Sequence, residues 1–292
     1  MTNLCNVKIS VPYIYSVRNI IFIISKKGKQ LIMFITEIFK SIDGEGTRAG
    51  EPAIFVRFAG CNLKCAYCDT GFSKSRDDKD PQYKDQYAVV EAIHKLLVTN
   101  SMNNITITGG EPMMHSSDIL LILNALYEMY PMFQYSINIE TNGTYNPNSW
   151  IQQYKETDFA QDPQNDLFFT FDLKTASAGE YEKDLCLDID SGLPRFTDCL
   201  SANNSTTLHS KHHVIKSVVG SVEDLKYVEE IYMKMKKETG RVRCFDWYIS
   251  PVFGKIEPCE IVEFILSKPE LNYMKVQLQL HKIIWPPEQR GV

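Results

Sequence analysis

Residues 60–70 read GCNLKCAYCDT. Cys61, Cys65 and Cys68 stand at the spacing C-x3-C-x2-C, directly after an apolar, strand-like run at 53–59. Thiolates are the protein ligands of iron–sulfur clusters. A cubane cluster has four irons, so three cysteines leave one iron open to a small chelating ligand. Zinc is the competing reading, because C-x2-C pairs also hold zinc. A structural zinc site needs a fourth ligand, and no nearby Cys or His supplies one at a familiar spacing. His94, the next histidine, falls inside an expected helix.

Outward from this loop, strand-like and helix-like segments alternate. Helical periodicity marks 87–98, 119–130, 222–237 and 259–266. Strand patterns mark 53–60, 104–108, 136–141, 167–173, 213–219, 246–250 and, last, 275–281; residues 33–39 alternate loosely, and 71–83 read as an exposed loop. Such alternation argues for right-handed βαβ units around a parallel sheet. The expected fold is α/β, a partial TIM-like barrel of about six units rather than the eight of a closed barrel. Cys61, Gly109-Gly110-Glu111, Thr141, Lys174 and Ser250 all fall at or just after strand C-termini, the end where such architectures bind ligands.

Composition sets further bounds. At 292 residues, one large domain or two smaller ones fit equally. The net charge is −5, with both signs mixed along the chain, and no basic block asks for nucleic acid. Beyond the triad, Cys5, Cys186, Cys199, Cys244 and Cys259 are scattered without C-x2-C pairing. Cluster chemistry and free thiols point to a reducing cytoplasm. The apolar run 13–25 is interrupted by Arg18 and Asn19 and is shorter than the ~20 residues of a membrane span. It also lacks a cleavage site. Residues 1–32 are therefore expected to be an extension from an upstream start, with a membrane-surface or partner-binding arm as the alternative. Residues 33–292 form the expected domain.

Three further stretches carry chemistry. Ser41–Gly46 reads SIDGEG, a tight turn that presents a carboxylate, or an ordinary hairpin turn. Arg57 lies near the end of a strand, with Val56 and Phe58 expected on the opposite face. It is either a surface charge or a clamp for a carboxylate, whose geometry its donor fork matches. Gly109-Gly110-Glu111-Pro112 pairs glycines that permit close backbone approach with a glutamate able to accept from an ammonium group.

The triad with Tyr67 before its last cysteine, followed by GGEP, resembles the radical S-adenosylmethionine enzymes. FKSIDGEG, FVRFAGCNLKCAYCDT, ITITGGEP, IETNG, SPVFGKI, QLHKIIW and a terminal RGV together resemble the 7-carboxy-7-deazaguanine synthases, in their clostridial-type branch, from Met33 to Val292. This resemblance implies a [4Fe–4S] cluster on Cys61, Cys65 and Cys68. It implies S-adenosylmethionine held by Tyr67, Cys68, Asp69, Gly110, Glu111, Asp172, Lys174 and Ser250, with Glu111 or its backbone neighbours at the methionyl end, and Mg2+ on Thr70. The pterin would meet Ile42, Asp43, Gly44, Glu45, Arg57, Thr108, His281 and Val292. The family carries Gln where this chain has Asp43, and a carboxylate cannot donate as an amide does.

The implied reaction is the contraction of 6-carboxy-5,6,7,8-tetrahydropterin to 7-carboxy-7-deazaguanine. A 5′-deoxyadenosyl radical takes hydrogen from C6, the ring rearranges and ammonia leaves. The implied setting is a cytoplasmic homodimer in queuosine biosynthesis, reduced by a flavodoxin or ferredoxin, with no membrane or nucleic-acid partner. A glycyl-radical activase shares the triad, and a non-catalytic iron–sulfur electron carrier is the reading from another class. The activase has no use for SI-x-GEG, and the carrier has none for GGEP, Arg57 or Thr70.

Overall fold

The first strand and the second are joined by only a short turn, and this decides their direction. In the computed structural model, β1 (Ile35–Ile42) pairs antiparallel with β2 (Pro52–Phe58). A hairpin-length connection permits nothing else, because a parallel pair needs a crossover of a dozen or more residues. After β2 every connection is long. β3 (Asn104–Gly109), β4 (Ser136–Thr141), β5 (Asp166–Asp172), β6 (His213–Val219), β7 (Phe245–Pro251) and β8 (Met274–Val276) follow in parallel, and all eight strands lie in chain order in one sheet. The structure describes residues 32–179, 187, 193–194, 213–240, 242, 245–286 and 289–292. The apolar run 13–25 and Cys5, Cys186, Cys199 and Cys244 lie outside the described residues. Met33–Val292 forms one compact unit.

The crossovers carry α1 (Gln86–Asn100), α2 (Ser116–Met129), α3 (Asn148–Lys155), α4 (Asp158–Gln161), α5 (Val222–Thr239) and α6 (Pro258–Leu266). Their inner faces follow the apolar spacing: α1 buries Val89, Val90, Ile93 and Leu97, and α5 buries Leu225, Val228, Ile231, Tyr232 and Met235. Asp85 and Ser221 cap these helices by accepting from Ala88 N and Asp224 N, and Gly240 ends α5 in the left-handed region. α3 and α4 go beyond the sequence reading. Each is short, and α3 offers only Trp150, Ile151 and Tyr154 to the core, too few for a periodic signal.

Two expectations are corrected. The strand anticipated at 275–281 stops at Val276, and Leu280–Ile284 forms a short helix, α7, that carries His281. The chain leaves the sheet because Gln277 exchanges hydrogen bonds with the backbone of Gly46, and Leu280 N donates to Gly44 O. The loop at 71–83 is only partly exposed: Ser73 and Tyr83 are buried, and Ser73 O accepts from Gly60 N.

The β1–β2 turn packs against β3 and β4. Arg48 is buried and donates to Ser136 O, Ile105 O and Thr106 Oγ1, at the amino ends of β3 and β4. Its Nε lies 2.8 Å from Asp43 Oδ2, and Thr106 Oγ1 donates to Asp43 Oδ1. Asp43 is thus committed to a buried ion pair and does not line the cavity described below. Its expected contact with substrate is not available to the side chain.

Breaking this pair tests its weight. Removing one partner of a buried ion pair costs about 3–5 kcal/mol. Arg48→Met should lose that much stability in anaerobic chemical denaturation, and adding Asp43→Asn should recover part of it. A loss under about 1 kcal/mol would show that the pair contributes no more than a surface bridge.

Candidate active site

A cavity opens at the carboxyl ends of the parallel strands. Its lining includes Cys61, Cys65, Tyr67, Cys68, Asp69 and Thr70 from the loop after β2. The three thiols are free and half-buried. Gly60 N and Cys61 N donate to Ser73 O and Lys74 O, and Ala66 N donates to Ala178 O, so backbone bonds at both ends fix the loop. Cys61 Sγ accepts from Leu63 N, and Cys68 Sγ lies 3.5 Å from Thr70 Oγ1.

Burial pushes the Cys61 and Cys65 thiols up, and neighbouring thiolates push them further. The protein alone therefore disfavours the thiolate at Cys61 and Cys65, whereas a cationic iron centre would reverse the balance. This donor set fits a cluster. Among the described residues no three Cys, His, Asp or Glu side chains converge on a single ion. A cubane does not ask for that, since each thiolate meets a different iron.

The loop after β3 lies against this one at very short range. A Cβ on Gly109 would fall 2.2 Å from Phe58 O, and one on Gly110 2.1 Å from Gly60 O. Gly109 also has φ +129°, in the region that disfavours a side chain. Gly110 N donates to Phe58 O and Glu111 N to Gly60 O, locking the two loops together. Of the two groups expected to face a ligand here, Glu111 or its backbone neighbours, the Glu111 side chain is not at the cavity. Its buried carboxylate accepts from Met113 N, Thr141 Oγ1 and Asn142 N, and does not line the cavity. Burial lifts it to about 7 against those bonds. What GGEP presents to the cavity is the backbone of Gly109 and Gly110.

Four charged groups face one another deeper in. Lys174 Nζ lies 2.8 Å from Asp172 Oδ2 and 5.4 Å from the centre of the Tyr67 ring. Lys216 Nζ lies 2.9 Å from Glu45 Oε2 and 4.0 Å from Asp172 Oδ2. Burial alone would raise the Glu45 carboxyl, but Lys216, His281 and the Ser250 hydroxyl together outweigh it and hold the group below its usual range. Ser250 Oγ donates to Glu45 Oε1 and is itself fully buried, so it supports Glu45 instead of reaching a cofactor.

Arg57 enters the cavity from β2, directly across from Glu37 on β1, whose Oε1 accepts from Arg57 Nε at 2.7 Å. Phe39 and Phe72 flank the guanidinium at 5.4 and 5.5 Å. Of the two readings of Arg57, the surface charge is excluded by this placement. Thr108 Oγ1 donates to Glu140 Oε2, and both line the cavity. Ile42 and Gly44 line it from the β1–β2 turn. A Cβ on Gly44 would fall 2.6 Å from His281 Nδ1, so glycine lets α7 approach. His281 Nε2 and Lys282 Nζ each lie 3.5 Å from Asp69 Oδ2. Gln289 to Val292 complete the lining, with Arg290 stacked 3.9 Å over Phe72.

Sequence reasoning missed Lys216, Glu140, Gln279, Lys282 and Arg290. Lys216 had a signal, a lysine in the middle of the apolar run HVIKSVV; Glu140 stood in IETNG, a quoted motif whose glutamate received no role. Gln279 and Lys282 stood in QLHKIIW and Arg290 in the terminal RGV, also quoted without a role for these residues, and their position at the cavity follows from tertiary packing.

The model of the Radical SAM superfamily matches residues 55–177. The 7-carboxy-7-deazaguanine synthase of Clostridium acetobutylicum is 35% identical over 260 residues, covering 88% of this chain and 98% of the relative. That of Methanospirillum hungatei is 31% identical, covering 87% and 86%. That of Chlorobaculum tepidum is 30% identical, covering 88% and 96%. The crystal structure of QueE from Escherichia coli covers 91% of this chain and 99% of its own, at 20% identity and a TM-score of 0.51, a likeness of fold.

Cluster loading tests the donor set. Cys61→Ala, Cys65→Ala and Cys68→Ala should each reduce bound iron and sulfide to background after anaerobic reconstitution, while Cys259→Ala, exposed and remote in sequence, should load fully. Full loading in Cys65→Ala would remove that thiol from the set.

Proposed function

The chain belongs to the 7-carboxy-7-deazaguanine synthase family of the radical SAM superfamily, and from that premise we infer that its cavity contracts 6-carboxy-5,6,7,8-tetrahydropterin to 7-carboxy-7-deazaguanine with loss of ammonia. The observation that carries this reading is a shared lining. The thiols of one loop, the backbone of Gly109-Gly110, the Arg57 fork and the Glu45 carboxylate all face the same cavity.

Cys61, Cys65 and Cys68 would hold a [4Fe–4S] cluster. S-adenosylmethionine would lie against Tyr67, the Gly109-Gly110 backbone, Asp172 and Lys174. When bound, this pair supplies the radical that takes hydrogen from the substrate. The protein's own part is placement and shelter. Arg57, its Nε fixed by Glu37 and its plane fixed by two rings, offers a preorganised fork to the pterin carboxylate. Glu45, kept ionised by Lys216, accepts from the amino and ring N–H donors of the pterin. Thr108, the Ile42 and Gly44 backbone, His281 and the Val292 carboxylate complete its surround. Thr70 Oγ1, beside Cys68 and 3.4 Å from Gly109 O, would serve a hard cation such as Mg2+. α7 and the C-terminal residues line the same cavity and limit water around a reactive intermediate.

The wider setting is proposed on the same basis: a reductant such as a flavodoxin or ferredoxin, a homodimer, a cytoplasmic location and a role in queuosine biosynthesis. No helix among the described residues is long and apolar enough to cross a membrane. Residues 33–292 are proposed as the catalytic unit and 1–32 as a dispensable extension, which the compactness of Met33–Val292 supports.

Arg57→Ala tests the substrate half. Loss of a charge-assisted partner costs ~1.5–3 kcal/mol, or roughly 10- to 150-fold in pterin affinity. Cleavage of S-adenosylmethionine uncoupled from product should survive in this variant. Unchanged pterin affinity would make Arg57 a structural charge.

A further inference from the structure

Lys216 sits in β6, whose seven residues are all buried. A lysine in such a strand is costly unless paired. Its ammonium is shared: 2.9 Å from Glu45 Oε2 and 4.0 Å from Asp172 Oδ2. The same Asp172 oxygen is 2.8 Å from Lys174 Nζ. The two carboxylates arrive from different directions. Glu45 comes from the β1–β2 turn and is steadied by Ser250 and Gln279. Asp172 ends β5, and its partner Lys174 faces Tyr67.

We propose that Lys216 is a positioning residue that couples the two halves of the cavity, so that filling the S-adenosylmethionine half orders Glu45 for the pterin. The proposal rests on the functional reading above. Its physical basis is short-range competition. Inside a protein, charges about 4 Å apart interact far more strongly than in water, so Asp172, although bonded to Lys174, still pulls on the ammonium that Glu45 holds. When hydroxyl donors of a ligand draw on Asp172, that pull weakens and the bond the ammonium already makes to Glu45 tightens. Glu45 is then fixed, ionised, toward the pterin donors. Such coupling is reciprocal in binding free energy. A lysine that merely neutralised Glu45 would support the fold but would leave the two ligands independent.

The test is equilibrium binding of 6-carboxy-5,6,7,8-tetrahydropterin to anaerobic, cluster-loaded full-length protein, with and without S-adenosylmethionine. No reductant is added, so nothing turns over. In the wild type, S-adenosylmethionine should tighten pterin binding by about 5- to 150-fold. In Lys216→Met the ratio should fall to about one, whatever the change in absolute affinity or melting temperature. If that variant does not fold, Glu45→Gln combined with Lys216→Met removes both charges, and its ratio should fall likewise. A wild-type-sized ratio in a folded variant carrying Lys216→Met overturns the proposal, as does a ratio near one in the wild type. A wild type that binds no pterin under either condition overturns the functional reading itself, and this proposal with it.

Discussion

Two strand ends approach more closely than any side chain allows, and the site is built on that contact. Gly109 and Gly110 bring the end of β3 against the backbone of Phe58 and Gly60, where a Cβ would meet carbonyl oxygen at little more than 2 Å. Paired amides then join the loops. The consequence is chemical. The cysteine loop and the backbone proposed to receive the methionyl end of a cofactor become one rigid wall, so their separation does not depend on flexible side chains. Glu111 extends the wall to β4 through Thr141 and Asn142.

The opposite side of the cavity is made differently. The β1–β2 turn inserts from the amino ends of the strands, anchored by Arg48 and Asp43, and delivers Gly44 and Glu45 to the cavity. α7 closes over Gly44 and is tied to the cysteine loop through Asp69. One wall is therefore held by backbone contact and the other by charge. Lys216 and Asp172 stand where the two meet. This division suits a reaction in which a radical is generated against a fixed cofactor while the substrate is gripped by oriented polar groups.

Much of this was legible in the chain. The cysteine triad, GGEP and Arg57 are local patterns with a direct chemical meaning, and the structure gathers them because parallel strands end on one side. The strands β4 and β6 matched their periodicity residue for residue, since buried β-branched runs leave little choice of boundary. What escaped was set by distant contacts. Residues 275–281 alternate like a strand, yet hydrogen bonds to Gly44 and Gly46 lift most of them off the sheet. Glu111 looked like a ligand for an ammonium group, but nearby N–H and O–H donors satisfy it first. Asp43 looked like part of the substrate site, but an arginine five residues on holds it. A carboxylate's chemistry is visible in sequence; its nearest partner is not.

The central claim is that one cavity joins radical generation to pterin rearrangement. Its most direct test is the stoichiometry of turnover by the reduced, cluster-loaded protein with S-adenosylmethionine and 6-carboxy-5,6,7,8-tetrahydropterin, followed by mass spectrometry of all small molecules. The account predicts 7-carboxy-7-deazaguanine in large excess over any net loss of S-adenosylmethionine. Cleavage of S-adenosylmethionine with the pterin left intact would contradict it.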